Sequence, residues 1–137
     1  MSRCDGCVTG TTVNSFIFYN QPVTSPLAQW TVKLVTPLGR FKFTADNGNL
    51  LALCTSNCGG TVTFGVGVAV LTTATALPAN NYIWTIVQVP DSTRVTITGA
   101  NGNFLARCVG CWQGARNQNG VFVHTKDNAS YAAQWTP

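Results

Sequence analysis

The sequence contains no glutamate and few ionisable side chains of any kind. Its carboxylate side chains are Asp5, Asp46, Asp91 and Asp127, His124 is the one histidine, and charged residues make up 9% of the 137 residues, against about 25% in ordinary soluble domains. General acid–base and metal chemistry need such groups in pairs or clusters. The four aspartates all lie in or beside predicted turns, where Asp is expected for turn chemistry alone. We therefore expect no enzymatic activity, no metal site and no cofactor.

Clustered basic charge and long apolar runs are also absent. The eight Lys and Arg residues, which give a net charge of +4, are scattered along the chain, so no basic patch of the kind that follows a phosphate backbone is predicted. The longest apolar stretch, Phe64–Leu71, is Gly-rich and far shorter than the roughly 20 residues of a membrane-spanning helix. We expect neither nucleic-acid binding nor membrane insertion.

The composition nevertheless predicts a folded chain. Hydrophobic residues make up 45% of it, with four Trp and seven Phe, which is too apolar for intrinsic disorder. A chain of this length forms one domain, so residues 1–137 are interpreted as a single unit. The N-terminus lacks the apolar core of a secretory signal. We expect an extracellular or cell-surface location, with a cytoplasmic protein exported by an unconventional route as the alternative.

An internal repeat is the strongest feature of the sequence. The tryptophans Trp30, Trp84 and Trp135 recur at nearly equal intervals, each followed by Thr. The motif Asn47-Gly48-Asn49 recurs as Asn101-Gly102-Asn103, and the two copies stand at the same distance after Trp30 and Trp84. Such self-similarity fixes the architecture before local structure is considered. The repeats are 1–48, 49–102 and 103–137.

Each repeat is predicted to contain four β-strands, because its segments are short, rich in β-branched and aromatic residues, and separated by turn residues. First strands are predicted at Asn49–Cys54 and Asn103–Cys108, second strands at Phe16–Tyr19, Val66–Val70 and Val121–His124, third strands at Trp30–Val35 and Trp84–Val89, and fourth strands at Arg40–Thr44 and Arg94–Thr98. The Asn-Gly pairs at 47–48 and 101–102 are predicted to form type I′ turns. No helix is predicted.

Three copies of a four-stranded unit predict an all-β β-trefoil, whereas a propeller needs at least four blades. The segments Trp30–Leu53 and Trp84–Arg107 resemble the repeat of fascin-like and ricin-B-like β-trefoils. That resemblance implies a non-catalytic, lectin-like protein that binds glycans. The Gln-Trp pairs at 29–30 and 134–135 are adjacent, unlike the Gln-x-Trp motif of the ricin-B family, so galactose-site residues are not transferred.

Aromatic and polar residues in loops after the first strand, or at the end of the second, are the candidate sugar ligands, because sugar sites combine an aromatic face with a few orienting polar groups. These candidates are Asp5, Tyr19, Asn20, Trp112, His124 and Asn128. The second repeat has apolar residues at these positions, so no such site is expected there.

The six cysteines form three repeat-related pairs, Cys4/Cys7, Cys54/Cys58 and Cys108/Cys111. Spacing within each pair favours three local disulfides in an oxidising environment. Zinc binding would need four ligands converging on one ion, and a thioredoxin-like redox motif would need a helix start; we expect neither.

The third repeat is incomplete in sequence and lacks a predicted fourth strand. A barrel open at that position exposes backbone hydrogen-bonding groups, which a neighbouring chain could pair by strand addition. The alternative function is therefore a structural subunit of an extracellular coat or filament, a homo-oligomer or polymer. A protease inhibitor or actin-binding module is a further alternative, with the loop Thr72–Asn81 as the presenting loop.

Overall fold

The computed structural model describes residues 1–3, 15–18, 24–55, 68–73, 75–108, 120–126 and 131–137. Eleven β-strands and three short 3-10 helices lie within these ranges. The strands are β1 Ser2–Arg3, β2 Ser15–Phe18, β3 Trp30–Thr36, β4 Arg40–Ala45, β5 Leu50–Cys54, β6 Val68–Thr72, β7 Trp84–Gln88, β8 Val95–Thr98, β9 Phe104–Cys108, β10 Gly120–Thr125 and β11 Gln134–Trp135. No helix in these ranges has the length and apolarity to span a membrane.

All described strands belong to one antiparallel sheet whose pairings repeat along the chain. First and second strands pair in every repeat, as β1–β2, β5–β6 and β9–β10. Third and fourth strands pair as β3–β4 and β7–β8. Each fourth strand also pairs with the first and third strands of the next repeat: β4 with β5 and β7, and β8 with β9 and β11. The second strands β2, β6 and β10 pair with one another.

The predicted strands are confirmed to within about two residues at most ends, because period-2 alternation and turn residues mark both limits. The 3-10 helices Pro26–Ala28, Ala79–Tyr82 and Tyr131–Ala133 were not predicted. Each ends two residues before a repeat tryptophan, so this turn belongs to the repeat. At three or four residues it is too short for helical periodicity to reveal it.

The three tryptophans occupy equivalent positions and make equivalent hydrogen bonds. The indole Nε1 of Trp30 donates to the carbonyl of Met1 at 3.0 Å, that of Trp84 to Leu51 at 3.1 Å, and that of Trp135 to Leu105 at 2.9 Å. In each repeat the bond joins the start of the third strand to the first strand or the residue just before it. The tryptophans pack in or against the core cluster, as the sequence predicts.

The hydrophobic core lies inside the sheet and draws on all three repeats. Its buried members are Phe43, Ala45, Leu51, Leu53, Ala69, Trp84, Ile97, Leu105, Val121 and Val123. Trp84 is fully buried, whereas Trp30 and Trp135 are partly buried. The Met1 α-amino group is also partly buried, and this desolvation lowers its pKa.

The Asn-Gly hairpins differ from the prediction of type I′ turns. Gly48 and Gly102 have φ values of 81° and 76°, but Asn47 and Asn101 do not have positive φ. The Gly48 amide donates to Ala45 at 3.0 Å, and the Ala45 amide donates to Asn49 at 2.9 Å. These bonds define a three-residue loop in which a turn is followed by a left-handed glycine, a common hairpin form. The prediction was wrong because it assumed a two-residue loop.

No described strand takes the place of a fourth strand in the third repeat. By the pairing rule of the other two repeats, that position is bounded by β11, by β3 and by β1. Among the described residues β3 pairs with β4 alone, whereas its counterpart β7 pairs with both β8 and β4. We call the side of β3 that faces away from β4 (Trp30–Thr36) the open edge.

Replacement of Trp84 by Phe removes the indole N–H and leaves the buried Leu51 carbonyl without that donor. We expect Trp84→Phe to lower the free energy of unfolding by about 2–3 kcal/mol, measured by urea unfolding. Trp30→Phe is the matched control and should cost roughly half as much, because Trp30 is only partly buried. Equal losses would contradict the assignment of Trp84 as the central core tryptophan.

Gly48→Ala tests the left-handed hairpin position. A Cβ at Gly48 would meet nothing within 4 Å, so the cost is conformational and should be about 1–2 kcal/mol in unfolding free energy. Gly48→Asn should cost less, because Asn tolerates positive φ. Thermal or denaturant unfolding of the two variants gives the comparison. If they are equally stable, the φ assigned to Gly48 is wrong.

Candidate functional site

Of the six sequence-predicted ligand residues, His124 alone lies on a described strand. Its backbone belongs to β10, at an irregularity where the register with β9 shifts between Val123 and Thr125. The other five, Asp5, Tyr19, Asn20, Trp112 and Asn128, lie outside the described residues. The six together stay a prediction.

The described strand ends show which of these segments start near one another. Phe18, the residue before Tyr19, pairs with Gly120, and Gly120 also pairs with Cys108. The segments that contain Tyr19 and Trp112 are therefore attached to neighbouring strand ends. His124 is four residues further along β10, about 13 Å from Gly120 at the usual strand rise. The backbone of His124 therefore lies well away from the strand ends at Phe18 and Cys108.

Two of the six cysteines lie on described strands, at the ends of β5 and β9. Cys54 is buried, and both Cys54 and Cys108 are disulfide-bonded. Cys4, Cys7, Cys58 and Cys111 lie outside the described residues, so the predicted pairing within each repeat stays a prediction. Within the described part of the chain no group of three His, Cys, Asp or Glu residues could hold a metal ion.

The predicted presenting loop Thr72–Asn81 is held to the body of the protein in its described part. The buried Tyr82 hydroxyl donates to the Thr73 carbonyl at 2.7 Å and accepts from the Leu77 amide at 2.9 Å. The Asn81 side-chain amide donates to the Leu53 carbonyl at 2.7 Å. This segment also includes the end of β6 and the start of the second 3-10 helix, so hydrogen bonds and local structure fix much of it.

A cleft lies where the first repeat meets the second, at a place the sequence did not indicate. It has a volume of about 280 Å³. It is lined by Arg40, Asn80, Ile83, Thr85, Thr98, Gly99, Ala100 and Gly102. Arg40 begins β4, Thr85 lies on β7, and Thr98 ends β8, so two repeats build the cleft together. Among these described lining residues there is one cation and no carboxylate.

The cleft offers hydrogen-bonding groups on a rigid frame. Arg40 pairs with Thr85 in the β4–β7 ladder, and Thr85 pairs with Thr98 in the β7–β8 ladder. The hairpin that provides Gly99, Ala100 and Gly102 is closed by backbone bonds from Gly99 to Asn103 and from Gly102 to Gly99, both 3.0 Å. The arrangement can donate from a guanidinium and an amide and can donate or accept through two hydroxyls.

The corresponding position between the second and third repeats is occupied differently. Arg94 is the counterpart of Arg40, and its Nη1 donates to the Gln134 Oε1 at 3.4 Å. Gln134 precedes Trp135 as Ile83 precedes Trp84. A side-chain hydrogen bond therefore spans the second junction, where the first junction has an arginine beside an apolar residue. The repeat places an arginine at both junctions. The residue before the next repeat tryptophan, Ile83 at the first junction and Gln134 at the second, determines what that arginine contacts.

Sequence reasoning missed Arg40, Asn80, Thr85 and Thr98 because it sought loop residues after first and second strands. The available signal was the repeat itself. Arginine begins both fourth-strand segments, at 40 and 94, and threonine follows all three repeat tryptophans. Polar residues that recur at fixed repeat positions and face outward would have pointed to the junctions between repeats.

No protein-family model matches the sequence, and no curated protein matches it. Among solved structures, the chain is similar to the designed three-fold symmetric protein ThreeFoil, with a TM-score of 0.65 and 14% sequence identity. The match covers 98% of this chain and 87% of that chain. At this identity the similarity carries the fold alone. Together with the repeated strand pairings, it confirms the predicted all-β, trefoil-like architecture.

Tyr82→Phe tests whether the 73–77 segment depends on one hydroxyl. The substitution removes a donor to Thr73 and an acceptor for Leu77 while keeping the ring in the core. We expect the free energy of unfolding to fall by about 1–2 kcal/mol and limited proteolysis within residues 72–78 to become faster. Unchanged proteolysis would show that other contacts hold this segment.

Proposed function

We propose that this protein is a lectin-like trefoil that binds glycans and has no catalytic activity. The observation that carries the proposal is the cleft between the first two repeats. Its polar groups are an arginine, an amide and two threonine hydroxyls, set on paired strands and a closed hairpin. Groups of these types form directional hydrogen bonds to hydroxyl-rich ligands, and a rigid frame limits the entropy lost on binding.

The charge of the cleft indicates which sugars it would bind best. Arg40 supplies a fixed positive charge, and the described lining has no carboxylate to oppose it. A neutral or anionic sugar suits this setting better than a cationic one. The residues Asp5, Tyr19, Asn20, Trp112, His124 and Asn128 are proposed as further sugar ligands; for Tyr19 and Trp112 the support is that Phe18 and Cys108, which precede their segments, both pair with Gly120.

A structural subunit that assembles with copies of itself is the second candidate. It is supported by exposed apolar side chains on and beside β3, which a monomer in water gains nothing by exposing. Val32 is 47% exposed, Leu34 53% and Leu38 82%. Such a protein would function in an extracellular coat or filament, in line with the low charge of the chain.

A glycan array with neutral and anionic sugars tests the lectin proposal. We expect wild-type protein to bind a defined set of glycans, and Arg40→Gln to weaken that binding by about tenfold or more through loss of a charge-assisted hydrogen bond. Lys33→Gln is the matched control, because it removes one exposed positive charge from outside the cleft lining and should leave binding unchanged.

The outcomes of the array distinguish an error in the assigned site from an error in the proposed function. Absence of binding to any glycan would overturn the lectin proposal. Binding that survives Arg40→Gln but is lost in an Asp5→Ala/Trp112→Ala double variant would move the site to the second region. For the second candidate, size-exclusion chromatography and electron microscopy should show large assemblies; a monomer at all concentrations would exclude it.

A further inference from the structure

Three polar side chains of the cleft lie in one row across three neighbouring strands. Arg40 on β4 pairs with Thr85 on β7, and Thr85 pairs with Thr98 on β8. Residues directly opposite one another in an antiparallel sheet project from the same face, and all three line the cleft. With strands about 4.8 Å apart, the row is about 10 Å long. The cleft therefore has a cationic end at Arg40 and a hydroxyl end at Thr98.

The side chains that could bind a ligand here are not used within the protein. In the described part of the chain, the side chains of Arg40, Asn80, Thr85 and Thr98 have no hydrogen-bond or ion-pair partner. Arg40 and Asn80 are exposed, and the two threonines are half-buried. A ligand can therefore bond to these groups without displacing an internal contact.

The hairpin beside the row contributes shape and not charge. The Gly99 amide donates to the Asn103 carbonyl and the Gly102 amide donates to the Gly99 carbonyl, so these two amides are already paired. Arg40 is the one group of the described lining that carries a full positive charge. An anionic group on a ligand would therefore lie at the Arg40 end.

The second junction shows which residue keeps the first arginine available. At both junctions the residue after the arginine pairs with the next repeat tryptophan, so the register is the same. At the second junction Arg94 Nη1 donates to the Gln134 Oε1 at 3.4 Å. Ile83 stands in the place of Gln134 at the first junction. An isoleucine side chain cannot accept a hydrogen bond, so it leaves the Arg40 guanidinium to a ligand.

The size of the cleft and the order of its groups indicate the ligand. Its volume of about 280 Å³ is just below the range of about 300–1,000 Å³ that is usual for drug-sized ligands, which suits one sugar ring. A hexuronic acid has a carboxylate at one end of its ring and hydroxyls around the other. A guanidinium binds a carboxylate through two parallel hydrogen bonds, and threonine hydroxyls can donate to or accept from sugar hydroxyls.

We propose that the cleft binds one anionic sugar residue, with its acidic group on Arg40 and its ring hydroxyls toward Thr85 and Thr98. Ile83 is the specificity-determining residue, because it leaves Arg40 without an internal acceptor. This inference rests on the lectin proposal and names the class of sugar. A carboxylate and a sulfate ester would supply the same charge, and the test below distinguishes them.

NMR titration with glucuronic acid, glucose 6-sulfate and glucose tests the inference. We expect glucuronic acid to bind with a Kd of about 1 mM and glucose to bind about tenfold more weakly or worse, because it lacks the charge-assisted bonds. The tighter of the two acidic sugars identifies the source of the charge. The side-chain Nε–Hε signal of Arg40 should shift during the titration, whereas that of Arg94 should not.

A substitution that copies the second junction tests the role of Ile83. Ile83→Gln places an amide oxygen where it can accept from Arg40, and it should weaken glucuronic acid binding by about tenfold. Val87→Gln is the matched control, at an exposed valine (54%) on the same strand and outside the described lining of the cleft. It should change the affinity by less than about twofold.

A second variant keeps the test decisive if Ile83→Gln does not fold. Ala100→Asp puts a carboxylate at an exposed position of the lining, where it competes for Arg40. It should weaken the binding of glucuronic acid more than that of glucose. Equal weakening of the two sugars would contradict the assignment of Arg40 as the anion-binding group.

Three further results would overturn the inference. They are equal affinities of the wild-type protein for glucuronic acid and glucose, a shift of the Arg94 signal without a shift of the Arg40 signal, and wild-type affinity in a folded Ile83→Gln variant. If the array shows binding to neutral glycans alongside any of these, only the acidic-sugar inference fails. Absence of binding to every glycan would instead refute the lectin proposal itself.

Discussion

The hydrogen bond from each repeat tryptophan to a carbonyl at or beside the first strand is the interaction on which the rest of the structure depends. It fixes where the third strand begins relative to the first, in all three repeats and at nearly the same length. An indole that lost this partner would leave a carbonyl unsatisfied in or next to the core, where such groups are costly. The bond therefore allows few alternative positions for the third strand, and the third strand in turn positions the fourth.

The three repeat tryptophans share this hydrogen bond but differ in their surroundings. Trp84 is fully buried because Phe41 of the preceding fourth strand pairs opposite it. Trp135 has Val95 in that position. Trp30 keeps its hydrogen bond, yet no described residue pairs opposite it on the open edge. Trp135 also has a preceding fourth strand and is partly buried like Trp30, so burial of a repeat tryptophan depends on the residue opposite it as well as on the presence of that strand.

Most of the fold could be predicted from the sequence because the same pattern of strands and turns recurs in the three repeats, so each copy supports the interpretation of the others. Strand limits at Trp30, Arg40 and Phe104 follow from alternation and turn residues, which act locally. The hairpin type at Asn47-Gly48 could not be predicted, because the same dipeptide serves a two-residue and a three-residue loop. Loop length is decided by the pairing of Ala45 with Asn49, which the dipeptide does not encode.

The candidate site was harder to predict for a different physical reason. Arg40 and Thr98 lie far apart in the sequence, on strands of different repeats, and they line one cleft because β7 pairs with both of their strands. No local pattern contains that information.

A fourth strand pairs with the third strand of the next repeat. By this rule the cleft and the open edge occupy equivalent positions at different junctions between repeats. At the first junction, β4 lies beside β7 and leaves a polar cleft. At the second, β8 lies beside β11, and Arg94 bonds to Gln134. At the third, β3 presents its edge with no described neighbour. Three equivalent positions with one backbone plan therefore differ in the contacts they make, because the neighbouring strand and a few side chains differ from one junction to the next.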